Sequence, residues 1–390
     1  MRIYNKYKMF FGLVILISIV NGKEQYIESA FTKEGKCCYE VPLYFNSQGK
    51  KFDFEININK HYTGFTNFVV PEKCERRFYE QIEDFKDTSV EILQCFSKVA
   101  VNKEHNALNQ FHFYLYEYNK NNINRKNIIG LSHNYKDNKL SIVHQLKEHE
   151  LIEQLQFSIV HNLFNKSEGV LYYGGIPQET INNKMKISID IFNTTNSFWN
   201  SKLYNIYFTG KEYKCDAVIY FSTSYYEIFV EFDYFTYLTN VLFLNEISNN
   251  KCTVKFNNGI MSILCDEYIK HSIGDIVFNI DKYYFTVKQN DLFNCDIGSD
   301  KCEFVLKFNS AMKGNEWLVG LVFIDNYDIL FDIERKIISF YGDSSMLSNH
   351  MVEKINILNY IVLKKLLLLI ILCLCICIII ILIFNYNKYK

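Results

Sequence analysis

An all-β ectodomain large enough for two lobes, followed by a single membrane span, is the architecture that this sequence predicts. Three observations carry that expectation. Short stretches rich in Ile, Val, Tyr and Phe recur along the chain, alternating apolar with polar and broken by Asn, Gly and Asp. A period of two suits strands, whose successive side chains point to opposite faces. Helical patterns are few, and 390 residues exceed one small domain and allow two buried cores.

Taken in order, residues 1–22 open with Arg2, Lys6 and Lys8, run through MFFGLVILISIV and reach the small Gly22. That is the order of a cleavable secretory signal, and the apolar run is too short to span a bilayer comfortably. The strand-like stretches follow: KFDFEININ, FHFYLYEY, KMKISIDIF, KLYNIYFTG, CDAVIYFS, DIVFNIDKYYFTV and DILFDIERKIISFYG. The clearest helix is Ser141 to Ile152, where Ile142, Leu146 and Ile152 form a partial apolar face behind a Ser cap. His144 and His149 on it stand five positions apart, with no carboxylate–histidine motif around them to favour a metal.

A linker over 346–365 leads to Leu366–Phe384, nineteen uninterrupted apolar residues bracketed by lysines, and a short tail at 385–390. A run of that length spans a bilayer as a helix. The polar ending NYNKYK argues against a lipid-anchor signal. Orientation follows from the signal, placing residues 23–360 in the lumen or outside, in the secretory pathway or at the cell surface.

Nothing in the net charge of −1 suggests a nucleic-acid partner, which usually needs a basic patch. Of the 12 cysteines, Cys373, Cys375 and Cys377 lie in the apolar run. The rest (Cys37, Cys38, Cys74, Cys95, Cys215, Cys252, Cys265, Cys295, Cys302) would meet an oxidising compartment and form disulfides, with at least one thiol left over. No C-x2-C pair suggests a metal. Asn165 (NKS) and Asn193 (NTT) begin glycosylation sequons. GGIP at Gly174 lacks the lysine and serine of a phosphate loop, and no G-x-S-x-G elbow occurs, so no cofactor is expected.

Four segments in order resemble the pepsin-like aspartic proteases. YTGFTNFVVPEKC (Tyr62–Cys74) is similar to that family's first active-site run, D-T-G-S-S-N-L-W-V-P-S followed by Cys. Ile128–Val160 resembles its G-L-G-L segment, helix and Phe-Ser strand. Gly169–Pro177 looks like the strand closing the first lobe, and Trp317–Phe340 is similar to W-I-L-G-D-x-F with the Phe-Asp run after it. Between them CDAVIYFSTS resembles C-x-A-I-V-D-T-G-T-S. The resemblance implies a bilobal pepsin-like fold, with an N-terminal lobe over 36–176 and a C-terminal lobe over 177–345.

On this register both members of the acid dyad are tyrosines, Tyr62 and Tyr220. The family's two carboxylates share a proton and activate a water; that dyad is a standard example of coupled carboxylates. A phenol, with a pKa of about 10, stays neutral at acid to neutral pH and cannot serve as the base. Asp216, four residues before Tyr220, lies about 13 Å away along a strand and cannot substitute. Asp53 and Asp190 fill no dyad position either, the family's W-I-L-G-D aspartate is Leu321, and no Tyr-Gly-x-Gly flap occurs between Ile82 and Tyr118.

The resemblance therefore implies an inactive homologue binding a peptide or protein in the inter-lobe cleft. Thr63, Gly64, Phe221, Ser222, Thr223 and Ser224 would line that cleft. An active aspartic endopeptidase is the alternative if the register is wrong. The resemblance also implies a Cys265–Cys302 disulfide, with Cys252–Cys295 as an extra pair.

Overall fold

Alternating strands in the sequence become two large sheets. The computed structural model describes residues 26–348, apart from 35–37, 46–49, 61, 67–72, 82–88, 102–106, 117–126, 134–140, 163–164, 195, 197, 296–297 and 313. The expected signal, most of the linker, the expected span and the tail lie outside the described residues. Among those described, no helix is long and apolar enough to cross a membrane.

The first sheet has thirteen strands and holds most of the N-terminal half. Three strands from the C-terminal half, Met185–Asp190, Ile337–Gly342 and Asp328–Asp332, join it beside Gln156–His161. The seam forms because Phe331 faces Phe157 in register, their rings stacked with centroids 4.7 Å apart. The second sheet has twelve strands, all between Asn200 and Ser348. One continuous core runs through both, with Trp199 and Trp317 fully buried. Burying each such side chain contributes roughly 1.5–3 kcal/mol, which makes the core the main source of stability.

Two of the long strand-like runs are hairpins. DIVFNIDKYYFTV splits into Ile276–Ile280 and Tyr283–Val287 because Asp281 and Lys282 both take positive φ, 45° and 67°. Such a two-residue turn matches the right-handed strand twist. DILFDIERKIISFYG likewise forms Asp328–Asp332 and Ile337–Gly342, with Lys336 at φ 60° between them. The expected helix is present but shorter, Ile142–Glu148: Ser141 caps it by accepting from the His144 N–H, and Glu150 at φ 56° ends it. Its buried Gln145 clasps the His112 backbone, accepting from N–H at 2.8 Å and donating to C=O at 3.0 Å.

The disulfides correct the sequence reading. The bonds are Cys252–Cys265 and Cys295–Cys302, not Cys265–Cys302 and Cys252–Cys295. Cys265 has a cysteine directly opposite on both sides, Cys252 and Cys302, so the strand register permits either partner. Both bonds formed are the local ones, spanning 13 and 7 positions. Cys95 is also disulfide-bonded, and Cys215 keeps a free thiol.

Candidate functional site at the crossing of two repeats

An internal repeat builds the site. In the N-terminal half, Ile128 lies opposite Glu55 in a parallel pairing and opposite Gly64 in an antiparallel one. In the C-terminal half, Leu318 lies opposite Tyr220 in parallel and Phe229 in antiparallel. Each half thus sends a strand up one side of a short central strand, turns, and comes back down its other side. The equivalence pairs Glu55 with Tyr220, Gly64 with Phe229, and Asn57 with Ser222.

A glycine closes each unit. A Cβ on Gly130 would stand 2.3 Å from the Tyr62 carbonyl oxygen and 2.5 Å from that of Lys60. One on Gly320 would stand 2.3 Å from the Tyr225 oxygen and 2.5 Å from that of Glu227. Only glycine lets the turning chain approach so closely.

The two turns cross, and their side chains bind the opposite half. The Thr223 hydroxyl donates to the Ile56 carbonyl at 2.6 Å and accepts from the Ile58 N–H at 3.3 Å. The Asn57 amide donates to Ser224 Oγ at 2.8 Å, and the Asn59 amide donates to the Phe221 carbonyl at 2.9 Å. Within each turn the same local bond recurs. Asn57 Oδ1 accepts from the Asn59 N–H at 3.0 Å, and Ser222 Oγ accepts from the Ser224 N–H at 3.2 Å. Thr223 is fully buried, Asn57 and Ser222 nearly so.

None of the side chains making these bonds carries a carboxylate. An amide and a hydroxyl donate and accept hydrogen bonds but do not exchange protons near neutral pH. The arrangement can hold two chain segments together and present polar groups to a ligand.

The predicted site residues fall in different places. Ser222, Thr223 and Ser224 are at the crossing. Tyr62 and Tyr220 are not equivalent to each other: nine positions separate Glu55 from Gly64 and Tyr220 from Phe229, so the counterpart of Tyr62 is Glu227 and that of Tyr220 is Glu55. The Tyr62 ring packs on Tyr114, centroids 5.4 Å apart. Tyr220 packs in a T-shaped pair with Phe198, centroids 5.7 Å apart, and donates to Glu316 Oε1 at 3.4 Å. Burial and the Glu316 charge raise its phenol.

Thr63 is fully buried, and Gly64, also buried, opens a strand. The Phe221 side chain is core, between Phe323 and Phe340, which corrects the expectation that it lines the cleft. Asn57 and Asn59 were missed. The signal available for them was N-I-N and S-T-S, each a short polar acceptor followed two residues later by another polar residue at a strand end.

Around the crossing, Trp199 donates its indole N–H to the Leu131 carbonyl at 2.9 Å, and the Phe221 N–H donates to the Trp199 carbonyl at 2.9 Å. His133 shares a hydrogen bond of 2.9 Å with the Phe198 carbonyl. Burial, with nearby Lys336 adding to it, lowers this imidazole to about 4. Among the described residues no group of three or more His, Cys, Asp or Glu converges as a metal would need.

Comparison with known proteins places this geometry. A family model described as "Eukaryotic aspartyl protease" matches residues 106–341. Among solved structures, the aspartic proteinase from Irpex lacteus superposes with a TM-score of 0.64 at 11% identity, covering 82% of this chain and 98% of that one. No curated protein sequence matches.

Proposed function

We propose that this chain, which belongs to the eukaryotic aspartyl protease family, keeps the fold without the chemistry and holds a peptide or protein partner between its halves without cutting it. The carrying observation is the crossing itself. Asn57-Ile58-Asn59 and Ser222-Thr223-Ser224 are the two equivalent triplets there, and we match them to the family's two Asp-Thr-Gly triplets. Thr223 is the one motif residue retained. On that match the acid pair has become Asn57 and Ser222, not the two tyrosines.

Neither replacement takes a proton from water. Losing one general acid–base group costs on the order of 10²–10⁴ in rate, and both are absent here. What supports a binding role is that the stitched crossing remains intact while the acids are gone. Beside it the Phe198–Tyr220 ring pair offers apolar area with a hydroxyl. In the same reading residues 1–22 are the signal, 36–176 and 177–345 the two lobes, and 366–384 the membrane anchor. Asn165, exposed, and Asn193, half-buried, are then lumenal glycan acceptors.

The test is incubation of the purified full chain with a peptide library and an unfolded protein between about pH 3 and 7. Retention of peptides with no new termini supports the proposal. Cleavage abolished by an aspartic-protease inhibitor supports an active endopeptidase instead.

A further inference from the structure

Four cysteines stand in one row across four hydrogen-bonded strands. Cys252 in Cys252–Asn257 faces Cys265 in Ile260–Asp266. Cys265 faces Cys302 in Lys301–Phe304 on its other side, and Cys302 faces Cys295 in Phe293–Cys295. Directly opposite residues of antiparallel strands project from the same face, their Cβ atoms roughly 4.5–5.5 Å apart.

The outer pairs are bonded, with Cα atoms 4.0 and 4.2 Å apart. The middle juxtaposition, Cys265 beside Cys302, has no bond across it. Its register is held by the neighbouring Asp266–Lys301 pair, an ion pair at 2.5 Å. Cys252, Cys265 and Cys302 are buried, whereas Cys295 is half-exposed on the outermost strand of the sheet.

We propose that this row is a two-electron redox site for a dithiol reductant, and that reduction moves its disulfide to the middle. A thiolate of the reductant attacks Cys295 Sγ, the accessible end. The Cys295–Cys302 bond breaks and Cys302 leaves as a thiolate. That thiolate attacks the next sulfur in the row, Cys265 Sγ; Cys265–Cys302 forms, Cys252–Cys265 breaks, and Cys252 leaves and takes up one proton. The reductant's second thiol then displaces Cys295, which takes up the other proton.

In sum, one dithiol is oxidised to a disulfide, and two protein disulfides become one disulfide and two thiols. Each step is an ordinary exchange between a thiolate and an adjacent disulfide. The bond that remains closes a longer loop than either bond it replaces, and so restrains the unfolded chain more. It also ties the Cys252–Asp266 hairpin covalently to the Phe293–Phe304 pair, which the outer bonds leave joined by ladder hydrogen bonds and the Asp266–Lys301 ion pair.

The full chain, exposed to rising dithiothreitol, is alkylated at each step and mapped by mass spectrometry without further reduction. The first reduced species should carry alkyl groups on Cys252 and Cys295 and a Cys265–Cys302 linked peptide. Alkylation first at Cys295 with Cys302, at Cys252 with Cys265, or at all four together overturns the proposal. A second arm uses the double variant Cys252→Ser, Cys295→Ser, which should fold with the native circular dichroism and form Cys265–Cys302. Free thiols at both positions in that folded variant overturn it equally.

Discussion

The Asn57 side-chain amide donates to the Ser224 hydroxyl at 2.8 Å, across 167 positions of sequence. Each of the two turns that meet there also carries the same internal bond, from the N–H two residues on to the side chain of Asn57 or Ser222. The halves are therefore stitched by amides and hydroxyls, through residues that pair by internal symmetry.

Thr223 makes two of the bonds across the crossing. Thr223→Val keeps the volume and removes the hydroxyl, leaving the Ile58 N–H and the Ile56 carbonyl without that partner in a buried place. A cost of about 1–3 kcal/mol is expected, read as a lower midpoint in urea unfolding. Thr223→Ser should recover most of it.

The repeat predicts that Gly130→Ala and Gly320→Ala behave alike. Each Cβ would fall 2.3 Å from a backbone carbonyl oxygen, which cannot swing away as a side-chain tip does. Both variants should lose several kcal/mol and yield little folded protein. Gly274→Ala, with nothing within 4 Å of its Cβ, should stay within about 0.5 kcal/mol of the parent.

Much of the fold was legible in the sequence because strand periodicity and turn residues are local. KMKISIDIF and KLYNIYFTG became Met185–Asp190 and Asn200–Phe208, and the Ser141 cap is in place. The register of the site was not legible. Gly64 follows a tyrosine and a threonine, so it resembles the last letter of the motif, yet it begins a returning strand. Asn57 and Asn59 look like ordinary loop residues, and only the pairing of Ile128 with both Glu55 and Gly64 shows where the turn lies. Disulfide choice was hidden for a related reason: Cys265 has two equally placed partners, and sequence spacing does not rank them.

Acid should destabilise the protein through two buried histidines. His161 is lowered by burial first, and faces the Tyr39 hydroxyl, Asp325, Asp328, Lys33 and the Tyr327 carbonyl. His133, lowered to about 4, faces Lys336 and the Phe198 carbonyl. In each case the unfolded chain takes its proton first, near pH 6.5. Stability from these residues is thus full above about 6.5 and falls as pH drops; the His133 share falls by up to ~1.4 kcal/mol per pH unit down to about 4. Urea unfolding at pH 7 and 4.5 should show the loss in the parent and a smaller one in His133→Gln.

A buried ion pair joins the halves elsewhere. Lys33 Nζ meets Asp325 Oδ2 at 2.5 Å, with side chains only 6% and 10% exposed, and Tyr39 donates to the other carboxylate oxygen. Asp325→Ala leaves the ammonium buried without that carboxylate and should cost about 3–5 kcal/mol. Adding Lys33→Met should restore part of that stability, because the stranded charge goes with it. A double variant no more stable than Asp325→Ala would contradict this account.

The most direct measurement concerns the two positions assigned to the lost acids. The full chain, Asn57→Asp with Ser222→Asp, and Tyr62→Asp with Tyr220→Asp are compared for cleavage of an unfolded protein at about pH 4, with and without an aspartic-protease inhibitor. The parent should not cut, the Asn57/Ser222 double variant should gain inhibitor-sensitive cleavage, and the Tyr62/Tyr220 double variant should gain none. Inhibitor-sensitive cleavage by the parent, or a gain only in the tyrosine double variant, would contradict the assignment.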